Sequence, residues 1–416
     1  MTGMTVSWRS TVAAGAATVL ALGLAACGSK GSGAGNGGAA GADVLQLGSA
    51  ISLTGSLARE GQLTQEGYQL CEQQVNAKGG VPVGDRKLQL KISYQDDTSK
   101  PNVAAQIADS YNGQGVKLIL SSYGSPNVSA QAPVIERNGQ ILSDSSGAEN
   151  EIFSHGYKRT FGVLSPATEY AASMVKAINE LAVPKPRTIA ILAADDGFSK
   201  AVANGARDTA AQLGFQVVDN QSFPSGTTDV SSALTAVRGK NPDIILGAVH
   251  VAEGIAIVKQ AQELGVKPLA FAETVAPPTP DFAKSLGRAA NGVLGSTQWT
   301  HTVAGSDKYF GTAREYDAAI QARFGHAADY HDAEATAACL ALVLAVEKAG
   351  STDPEQVRAA MAGLNTDSFF GHIQFNEQGQ NVYKPMQVIQ VQNGDARTVW
   401  PTDGADAKLI WPATGR

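Results

Sequence analysis

The 416-residue sequence has few cysteines, few aromatic residues and few charges: three cysteines, 6% aromatic and 17% charged residues. The cysteines lack the paired spacing of a metal site, so we expect no metal. A net charge of −6 and the lack of any lysine/arginine cluster argue against nucleic acid or an anionic lipid surface as the main partner. No Gly-x-Ser-x-Gly elbow, His-Glu-x-x-His motif or phosphate-binding glycine loop occurs. We therefore expect neither catalysis nor a cofactor.

One apolar run stands near the N-terminus, over residues 12–24, after a short segment with a single cation, Arg9. A basic start, an apolar stretch of about 7–15 residues and small residues at its end are typical of a secretory signal, whereas a membrane span needs about 20 residues. The run ends in Leu-Ala-Ala-Cys, which resembles the bacterial lipobox. This predicts a lipoprotein signal peptide over residues 1–26 and lipidation of Cys27. Plain secretion, with Cys27 incidental, is the alternative.

The next segment, residues 27–42, is almost entirely glycine, alanine and serine after its first residue. Such a composition buries nothing and behaves as a flexible coil. We expect it to be a tether that lifts a globular body off the bilayer; a segment without any role is the alternative. Because a single acyl chain binds a membrane only marginally, the lipobox resemblance implies a diacylated Cys27. The protein is thus expected to be extracytoplasmic and lipid-anchored to the cell membrane.

From residue 43 onward, strand patterns alternate with helix patterns of about 10–15 residues, which predicts βαβ units and parallel sheets covered on both faces. Two such series, separated near residues 161–170, predict an α/β protein with two doubly wound parallel-sheet lobes. Two long helices are expected later, over residues 307–323 and 332–348. Open parallel sheets bind ligands at the carboxyl ends of their strands, so two lobes that face each other there would form a cleft.

Cys71 and Cys339 both lie in apolar helical stretches. A buried, inert cysteine is the default at such positions. A disulfide between them is the alternative, because the expected compartment permits one.

Several short segments resemble the branched-chain amino acid (Leu/Ile/Val) binding proteins. They include Gly-Ser-Ala-Ile-Ser-Leu-Thr-Gly at residues 48–55 and Val-Asn-Ala-Lys-Gly-Gly at residues 75–80, and their order extends to about residue 394. The resemblance implies the type I periplasmic binding fold, with two lobes joined by three hinge crossings and a ligand cleft between them. The crossings are expected near residues 161–165, 295–300 and 369–373. The expected lobes are residues 43–163 plus 298–370, and residues 164–297 plus 371–416.

The same resemblance implies a function. The chain would be the solute-binding subunit of an ABC importer, capture a small amino acid or a related amine or amide by hinge closure, and deliver it to the membrane subunits of an ABC permease. A ligand-sensing lipoprotein that acts with a signalling partner is one alternative. A surface lipoprotein with a vestigial cleft is another, because a fold does not determine a function.

Ser125 stands after a strand and ahead of a helix, where a hydroxyl and backbone N–H groups form a carboxylate site; a plain N-cap is the alternative. By the resemblance, Ser125 holds the ligand carboxylate, Gly147 offers its carbonyl to the ligand ammonium, and Glu273 is the acidic partner of that ammonium. Glu149 replaces a threonine of the family. Its carboxylate would either favour a cation or point into solvent.

Phe198 stands where the family has an aromatic cover over the ligand, and His250 replaces another family tyrosine. The further pocket candidates are Glu60, Trp299 and Tyr330. Because this lid and Glu149 depart from the family pattern, the expected ligand is an amino acid or a related amine or amide, and leucine, isoleucine or valine does not follow.

Overall fold

The computed structural model describes residues 43–414 and contains two large sheets flanked by helices. The predicted signal peptide, the tether and Cys27 lie outside the described residues.

The first sheet has six strands in the order β2-β3-β1-β4-β5-β6. Its strands are β1 Val44–Ile51, β2 Val81–Val83, β3 Arg86–Asp96, β4 Leu118–Leu120, β5 Ile141–Asp144 and β6 Thr160–Gly162. All neighbours run parallel except β2 and β3, which form an edge hairpin. Every residue of β4 and β5 is buried, as expected for central parallel strands that are covered on both faces.

The second sheet has seven strands in the order β17-β16-β11-β10-β9-β7-β8. Its strands are β7 Thr188–Ala194, β8 Gln216–Phe223, β9 Ile244–Ala248, β10 Ala270–Glu273, β11 Leu294–Thr297, β16 Gln387–Gln392 and β17 Asp395–Trp400. The first five are parallel, and β16 and β17 add an antiparallel edge. Asn393 and Gly394 connect β16 to β17 with positive φ values of 55° and 89°, the geometry of a two-residue type I′ turn.

Helices cover both sheets. They are α1 Ala58–Ala77, α2 Pro101–Gly113, α3 Ser125–Asn138, α4 Asn150–Ser154, α5 Thr168–Leu181, α6 Gly197–Gln212, α7 Ser231–Arg238, α8 Val251–Glu263, α9 Pro280–Leu286, α10 Ala313–Phe324, α11 Tyr330–Ala349 and α12 Pro354–Ala362, with a 3-10 turn at Gly287–Ala290. Two short hairpins complete the fold: β12 Ser306–Asp307 with β13 Gly311–Thr312, and β14 Asn365–Ser368 with β15 Gly371–Gln374.

The helix predicted over residues 307–323 begins later, at Ala313. Residues before it form the β12–β13 hairpin, because the Asp307 carboxylate accepts hydrogen bonds from the backbone N–H groups of Tyr309 and Phe310, each at 2.9 Å. Thr312 and Glu315 then form a capping box that starts α10.

Helix α11 is buried along most of its length and packs against α1 and the first sheet. A helix that is apolar on all sides is expected inside a protein rather than on its surface. In the part of the chain that the structure describes, no single helix meets the length and hydropathy of a membrane crossing; α11 and α12 do so only together, and they are bent by 112° at their break.

Three passages connect the two sheets, after β6, after β11 and before β16. The first two lie where they are expected. The third differs from the prediction of residues 369–373: β15 pairs with β14, and Gln380 still bridges Gly162 of the first sheet. Since the Asn381 N–H also donates to the Gly162 carbonyl at 3.0 Å, the chain leaves the first sheet only after this point and enters the second at Gln387.

Buried hydrogen bonds join the three passages to one another. The Ser165 N–H donates to Gln298 Oε1, and Gln298 Nε2 donates back to the Ser165 carbonyl, both at 3.1 Å. Ser165 Oγ donates to the Lys384 carbonyl at 2.7 Å, and the Lys384 ammonium donates to the Gln298 carbonyl. We call Ser165, Gln298 and Lys384 the hinge triad.

Cys71 of α1 and Cys339 of α11 form a disulfide, with their Cα atoms 6.3 Å apart. Of the two cases considered for these cysteines, inert buried thiols and a disulfide, the disulfide is therefore confirmed. Both cysteines are fully buried, and the bridge joins two residues that are 268 positions apart in the sequence.

We expect replacement of both cysteines by alanine to lower the free energy of unfolding by about 2–5 kcal/mol, because a disulfide restricts the unfolded chain and this one closes a long loop. Chemical denaturation of the purified protein measures the effect. The single variants Cys71→Ala and Cys339→Ala should lose about as much as the double variant, since each breaks the same bond. Equal stability of wild type and double variant would contradict the prediction.

Candidate functional site

A narrow cleft lies where the carboxyl ends of parallel strands from both sheets meet. Its lining residues are Tyr123, Gly124, Ser125, Ser146, Leu164, Tyr170, Phe198, His250, Val275, Tyr330 and Glu334. Most of them directly follow β4, β5, β6, β7, β9 or β10, the position at which open parallel sheets bind ligands. The cavity has a volume of about 10 Å³, close to the minimum for one water molecule. The cavity in this conformation is therefore too small to hold an amino acid.

Ser125 is buried at the start of α3, and its hydroxyl oxygen accepts a hydrogen bond from the Glu149 N–H at 3.1 Å. The residue before it, Gly124, has a φ of 91°, a left-handed conformation that favours glycine. The Gly124 N–H donates to Ser146 Oγ at 3.1 Å, so the loops after β4 and β5 are joined at the cleft wall. Ser125 Oγ keeps its own hydrogen free to donate to a ligand.

Gly147 lies behind this wall and is not a lining residue of the cleft. Its N–H donates to Asp144 Oδ1 at 2.8 Å, and a Cβ atom at this position would lie 2.7 Å from Val128 Cγ1. Close packing therefore requires glycine here. Burial raises the pKa of Asp144 to about 6, against the lowering effect of the hydrogen bonds that it accepts.

The Glu149 side chain does not line the cleft, and it is only partly exposed to solvent. Its carboxylate lies against Gly197, the first residue of α6 on the second sheet, where an added Cβ would come within 2.2 Å of both carboxylate oxygens. Partial burial, followed by the charges of Glu151 and Asp196, raises the pKa of Glu149. The helix N-terminus beside it favours a negative charge.

Glu60 is a second carboxylate that contacts the N-terminus of a helix on the second sheet. It is buried in α1, and its Oε1 accepts the N–H of Val251, the first residue of α8, at 3.2 Å. The neighbouring Arg59 forms an ion pair with Asp281 of α9. Together with Glu149, these contacts join the helices of the first sheet to the N-terminal ends of helices on the second.

His250 and Phe198 form the wall on the second sheet, together with Tyr170. The ring of Phe198 lies 5.1 Å from that of Tyr170 and 5.5 Å from that of His250. His250 Nε2 lies 3.3 Å from Asp196 Oδ2, and both side chains are more than nine-tenths buried. Although burial opposes it, the Asp196 carboxylate raises the pKa of His250 to about 9, and His250 in turn lowers the pKa of Asp196 to about 2.

Glu273 is not among the lining residues. Its side chain lies beneath α8, with the Cα positions of Gly247 and Gly254 packed against it: added Cβ atoms there would lie 3.2 Å from its Cγ and 2.8 Å from its Oε2. Neither carboxyl oxygen has a hydrogen-bond partner among residues 43–414, and burial raises the pKa of Glu273 well above its ordinary value. Its predicted contact with a ligand ammonium stays a prediction.

Of the other two aromatic candidates, Tyr330 lines the cleft and stacks on His331 with the ring centroids 4.1 Å apart. Trp299 lies elsewhere, in an aromatic cluster where its Nε1 donates to the Phe369 carbonyl at 2.9 Å and its ring contacts Tyr316.

Several residues at or behind the cleft wall were not predicted from the sequence, among them Tyr123, Tyr170, Asp196 and Glu334. Tyr123 comes three residues after β4, and this place at a strand end is a signal that could have been used. Glu334 follows Tyr330 by four residues on α11, so the two share one helix face. No pattern in the sequence indicates which face of a helix that is apolar on all sides meets the cleft.

One group among the described residues has the geometry to hold a metal ion: Glu66, His326 and Asp332, whose ligand atoms lie within 4.8 Å of one another. None of them lines the cleft. His326 Nε2 lies 2.7 Å from Glu66 Oε2, and this hydrogen bond raises the pKa of His326 to about 9. A histidine–glutamate ion pair accounts for the contact between these two side chains.

Two parallel sheets whose strand ends enclose one cleft, linked by three passages, define a two-lobed binding protein of the type I periplasmic binding fold. The chain belongs to the periplasmic binding protein family, whose model matches residues 44–396. Leu/Ile/Val-binding protein homolog 8 of Brucella abortus is 26% identical over 377 residues, which cover 87% of this chain and 91% of the relative. The predicted fold class and family are thereby confirmed.

Solved structures agree with this fold. The branched-chain amino acid transporter substrate binding protein LivJ of Streptococcus pneumoniae, in complex with isoleucine, has a TM-score of 0.76 at 20% identity, covering 89% of this chain and all of that one (100%). A solute binding protein of an ABC transporter from Rhodopseudomonas palustris, in complex with 3,4-dihydroxybenzoic acid, has a TM-score of 0.75 at 17% identity, covering 86% of this chain and 96% of that one. At these identities the likeness concerns the fold alone.

The buried His250–Asp196 pair predicts a specific dependence of stability on pH. Because the pKa of His250 is raised to about 9, its stabilising contribution is complete below the unfolded value of about 6.5 and is lost as the pH rises towards about 9. Asp196 contributes above its unfolded value of about 3.9, and this contribution is lost as the pH falls towards about 2. We expect the free energy of unfolding to fall by about 3 kcal/mol from this pair between pH 6.5 and 9.

Urea denaturation at several pH values measures the free energy of unfolding of wild type and of Asp196→Asn. The difference between the two proteins at each pH gives the contribution of the pair. Asparagine also caps a helix, so α6 keeps its N-cap in the variant. Other groups, His326 among them, titrate in the same range and cancel in the difference. Parallel stability curves for the two proteins from pH 6.5 to 9 would contradict the prediction.

Proposed function

We propose that this chain is the extracytoplasmic solute-binding subunit of an ABC importer. It captures a small amino acid or a related amine or amide between two lobes and delivers it to a membrane permease. The observation that carries the proposal is the cleft itself: strand ends of two separate sheets face one cavity, and loops from both sheets supply its lining. The proposed lobes are those predicted from the sequence, with the third crossing placed after Gln380.

Hinge closure is the proposed mechanism, with the hinge triad at the crossings and beside the cleft, where Ser165 directly follows the lining residue Leu164. Polar contacts that span the lobes are Glu60 at the N-terminus of α8, Glu149 at that of α6, and the Arg59–Asp281 pair. Water can replace each of them when the cleft opens, and partly exposed ion pairs contribute only about 0–1 kcal/mol.

Lipid anchoring belongs to the same proposal. A tether of residues 27–42 on a diacylated Cys27 would keep the binding lobes beside the permease. The family is one of binding proteins, and we assign no catalytic step to the cleft. A ligand-sensing lipoprotein that acts with a signalling partner remains the second reading of the same cleft.

We expect a thermal-shift screen of the purified protein against amino acids, amines, amides and small carboxylic acids to identify a stabilising ligand. A ligand that binds only the folded state adds about 2.7 kcal/mol at a hundredfold excess over its Kd. Both ligand types of the solved structures, isoleucine and 3,4-dihydroxybenzoate, belong in the screen. Ser125→Ala serves as a cleft variant and should reduce the shift. No shift with any compound would contradict a solute-binding role.

The anchor is tested separately in a bacterial host. We expect wild type to fractionate with membranes and Cys27→Ser to appear in the soluble fraction, because the substitution removes the thiol that is acylated. The doubly substituted Cys71→Ala/Cys339→Ala protein is the matched control, since it loses thiols that are not acylation sites and should stay with the membrane. Membrane association of Cys27→Ser would contradict lipidation at this residue.

A further inference from the structure

We propose that Glu66, His326 and Asp332 form a binding site for one Zn²⁺ ion. They come from three segments of the chain: α1, the loop between α10 and α11, and the first turn of α11. None of them lines the cleft, so this inference goes beyond the proposed solute-binding function and does not depend on it. The expectation that the chain binds no metal rests on cysteine spacing, and this site contains no cysteine.

The first argument is the geometry of the ligand atoms, which all lie within 4.8 Å of one another. Zn²⁺ binds histidine nitrogen at about 2.0–2.1 Å and carboxylate oxygen at about 2.0–2.2 Å, so two ligand atoms of a tetrahedral site lie about 3.3 Å apart. His326 Nε2 and Glu66 Oε2 lie 2.7 Å apart. To bind the ion, these two atoms separate by about half an ångström and the Asp332 carboxylate approaches by at most about 1.5 Å. Rotations of the side chains supply both changes.

The second argument is the orientation of the His326 ring. Its Nδ1 lies 2.9 Å from the Ala327 carbonyl oxygen, to which an Nδ1–H group donates. Nε2, the atom that faces Glu66, is then the nitrogen that can bind a metal. Metal-binding histidines usually donate their other ring N–H to a carbonyl or a carboxylate in this way. The Phe324 ring lies beside the imidazole, with the centroids 6.4 Å apart, and further restricts it.

The third argument is a buried carboxylate oxygen without a partner. Asp332 is fully buried, and its Oδ2 accepts the Asp329 N–H at 3.1 Å. Its Oδ1 has no hydrogen-bond partner among residues 43–414. Leaving a buried carboxylate oxygen unpartnered costs free energy, so this atom calls for a cation. The ion pair between His326 and Glu66 explains the contact of those two side chains and leaves Asp332 Oδ1 unexplained.

The packing of α1 against α11 holds the two carboxylates close together. At Gly67, next to Glu66, an added Cβ atom would lie 2.2 Å from the Asp332 carbonyl oxygen, so the two helix backbones are in direct contact there. Thr336 Oγ1 donates to the Gly67 carbonyl at 2.7 Å. The disulfide joins the same two helices. The site is therefore built on a rigid helix pair, and little ordering is needed when an ion binds.

The set of ligand atoms also indicates the class of ion. Imidazole nitrogen suits Zn²⁺ and related transition metals, whereas Mg²⁺ and Ca²⁺ prefer about six or more oxygen ligands. Three protein ligands leave the fourth tetrahedral position to a water molecule. When the ion binds, it replaces the proton shared by His326 and Glu66, which leaves to solvent.

The test measures Zn²⁺ binding to the full chain by isothermal titration calorimetry, after treatment with a chelator. All proteins carry Cys27→Ser, because a free thiol would itself bind Zn²⁺. We expect this parent protein to bind one Zn²⁺, and to bind Mg²⁺ and Ca²⁺ at least about tenfold more weakly. His326→Ala and Asp332→Asn should each weaken Zn²⁺ binding by at least about 10- to 100-fold, the loss that follows even when only a hydrogen-bond partner of a ligand is removed.

His372→Ala is the matched control. His372 Nδ1 lies 2.8 Å from Asp367 Oδ1, and this histidine–carboxylate pair belongs to no group with metal-binding geometry among residues 43–414. Its loss should leave the Zn²⁺ affinity within about twofold of the parent, a negligible change in free energy. Zn²⁺ should also raise the thermal unfolding temperature of the parent and of His372→Ala, but not that of His326→Ala.

Asparagine keeps an oxygen that can accept the Asp329 N–H, so Asp332→Asn retains the capping box of α11. If this variant does not fold, His326→Ala still decides, because it changes a partly exposed loop residue. Absence of Zn²⁺ binding in the parent would overturn the site. Equal Zn²⁺ affinity in His326→Ala, loss of binding in His372→Ala, or Mg²⁺ or Ca²⁺ binding as tight as that of Zn²⁺ would also overturn it. None of these outcomes bears on solute binding in the cleft, which the ligand screen tests separately.

Discussion

The hinge triad is the interaction on which the rest of the architecture depends. Ser165, Gln298 and Lys384 stand on three separate passages of the chain, are buried, and bond to one another through backbone and side-chain groups. Buried hydrogen bonds of this kind are expensive to break because water cannot replace them. The passages are therefore constrained to move together, and the proposed hinge closure would place its dihedral changes in the residues beside the triad. Burial lowers the pKa of Lys384 to about 7, against the raising effect of Glu334, so a neutral amine at this position is accessible near neutral pH.

Polarity is distributed unevenly across the cleft. Where the two lobes meet, carboxylates from the first lobe lie at the N-termini of α6 and α8 of the second, so charge meets helix dipole there, beside the Arg59–Asp281 ion pair. If the cleft opens as proposed, water can replace the contacts between these carboxylates and the helix N-termini. Inside the cavity, aromatic rings dominate, and the unpartnered polar atoms are confined to two lining residues, Glu334 and His250.

The fold was largely predictable because its signals are local. Strands alternating with helices predict parallel sheets, and the central strands β4, β7 and β9 are apolar, buried and paired in parallel. The errors arise where a side chain competes with helix formation or where pairing is non-local. Asp307 binds backbone N–H groups and delays α10, while the bridge between Gln380 and Gly162 shifts the third crossing.

The site was less predictable, for a related reason. Ser125, Phe198 and His250 follow strands and reach the cleft wall, as strand ends in an open sheet generally do. Trp299 and Glu273 also follow or end strands, yet their side chains pack against neighbours that are distant in sequence. The direction of a side chain at a strand end depends on the pleat and on these neighbours. Glu334 lies within a helix that is buried along most of its length, where periodicity carries no information about direction.

The disulfide between α1 and α11 also changes the covalent topology of the molecule. Residues 71–339 form a closed ring that contains five of the six first-sheet strands and all five parallel strands of the second sheet, while β16 and β17 lie outside it. A single proteolytic cut anywhere inside this ring leaves both fragments joined, and the two helices remain side by side. For a protein exposed outside the cytoplasm, nicked loops in the second lobe would not release a lobe, and the damage would be visible only after reduction.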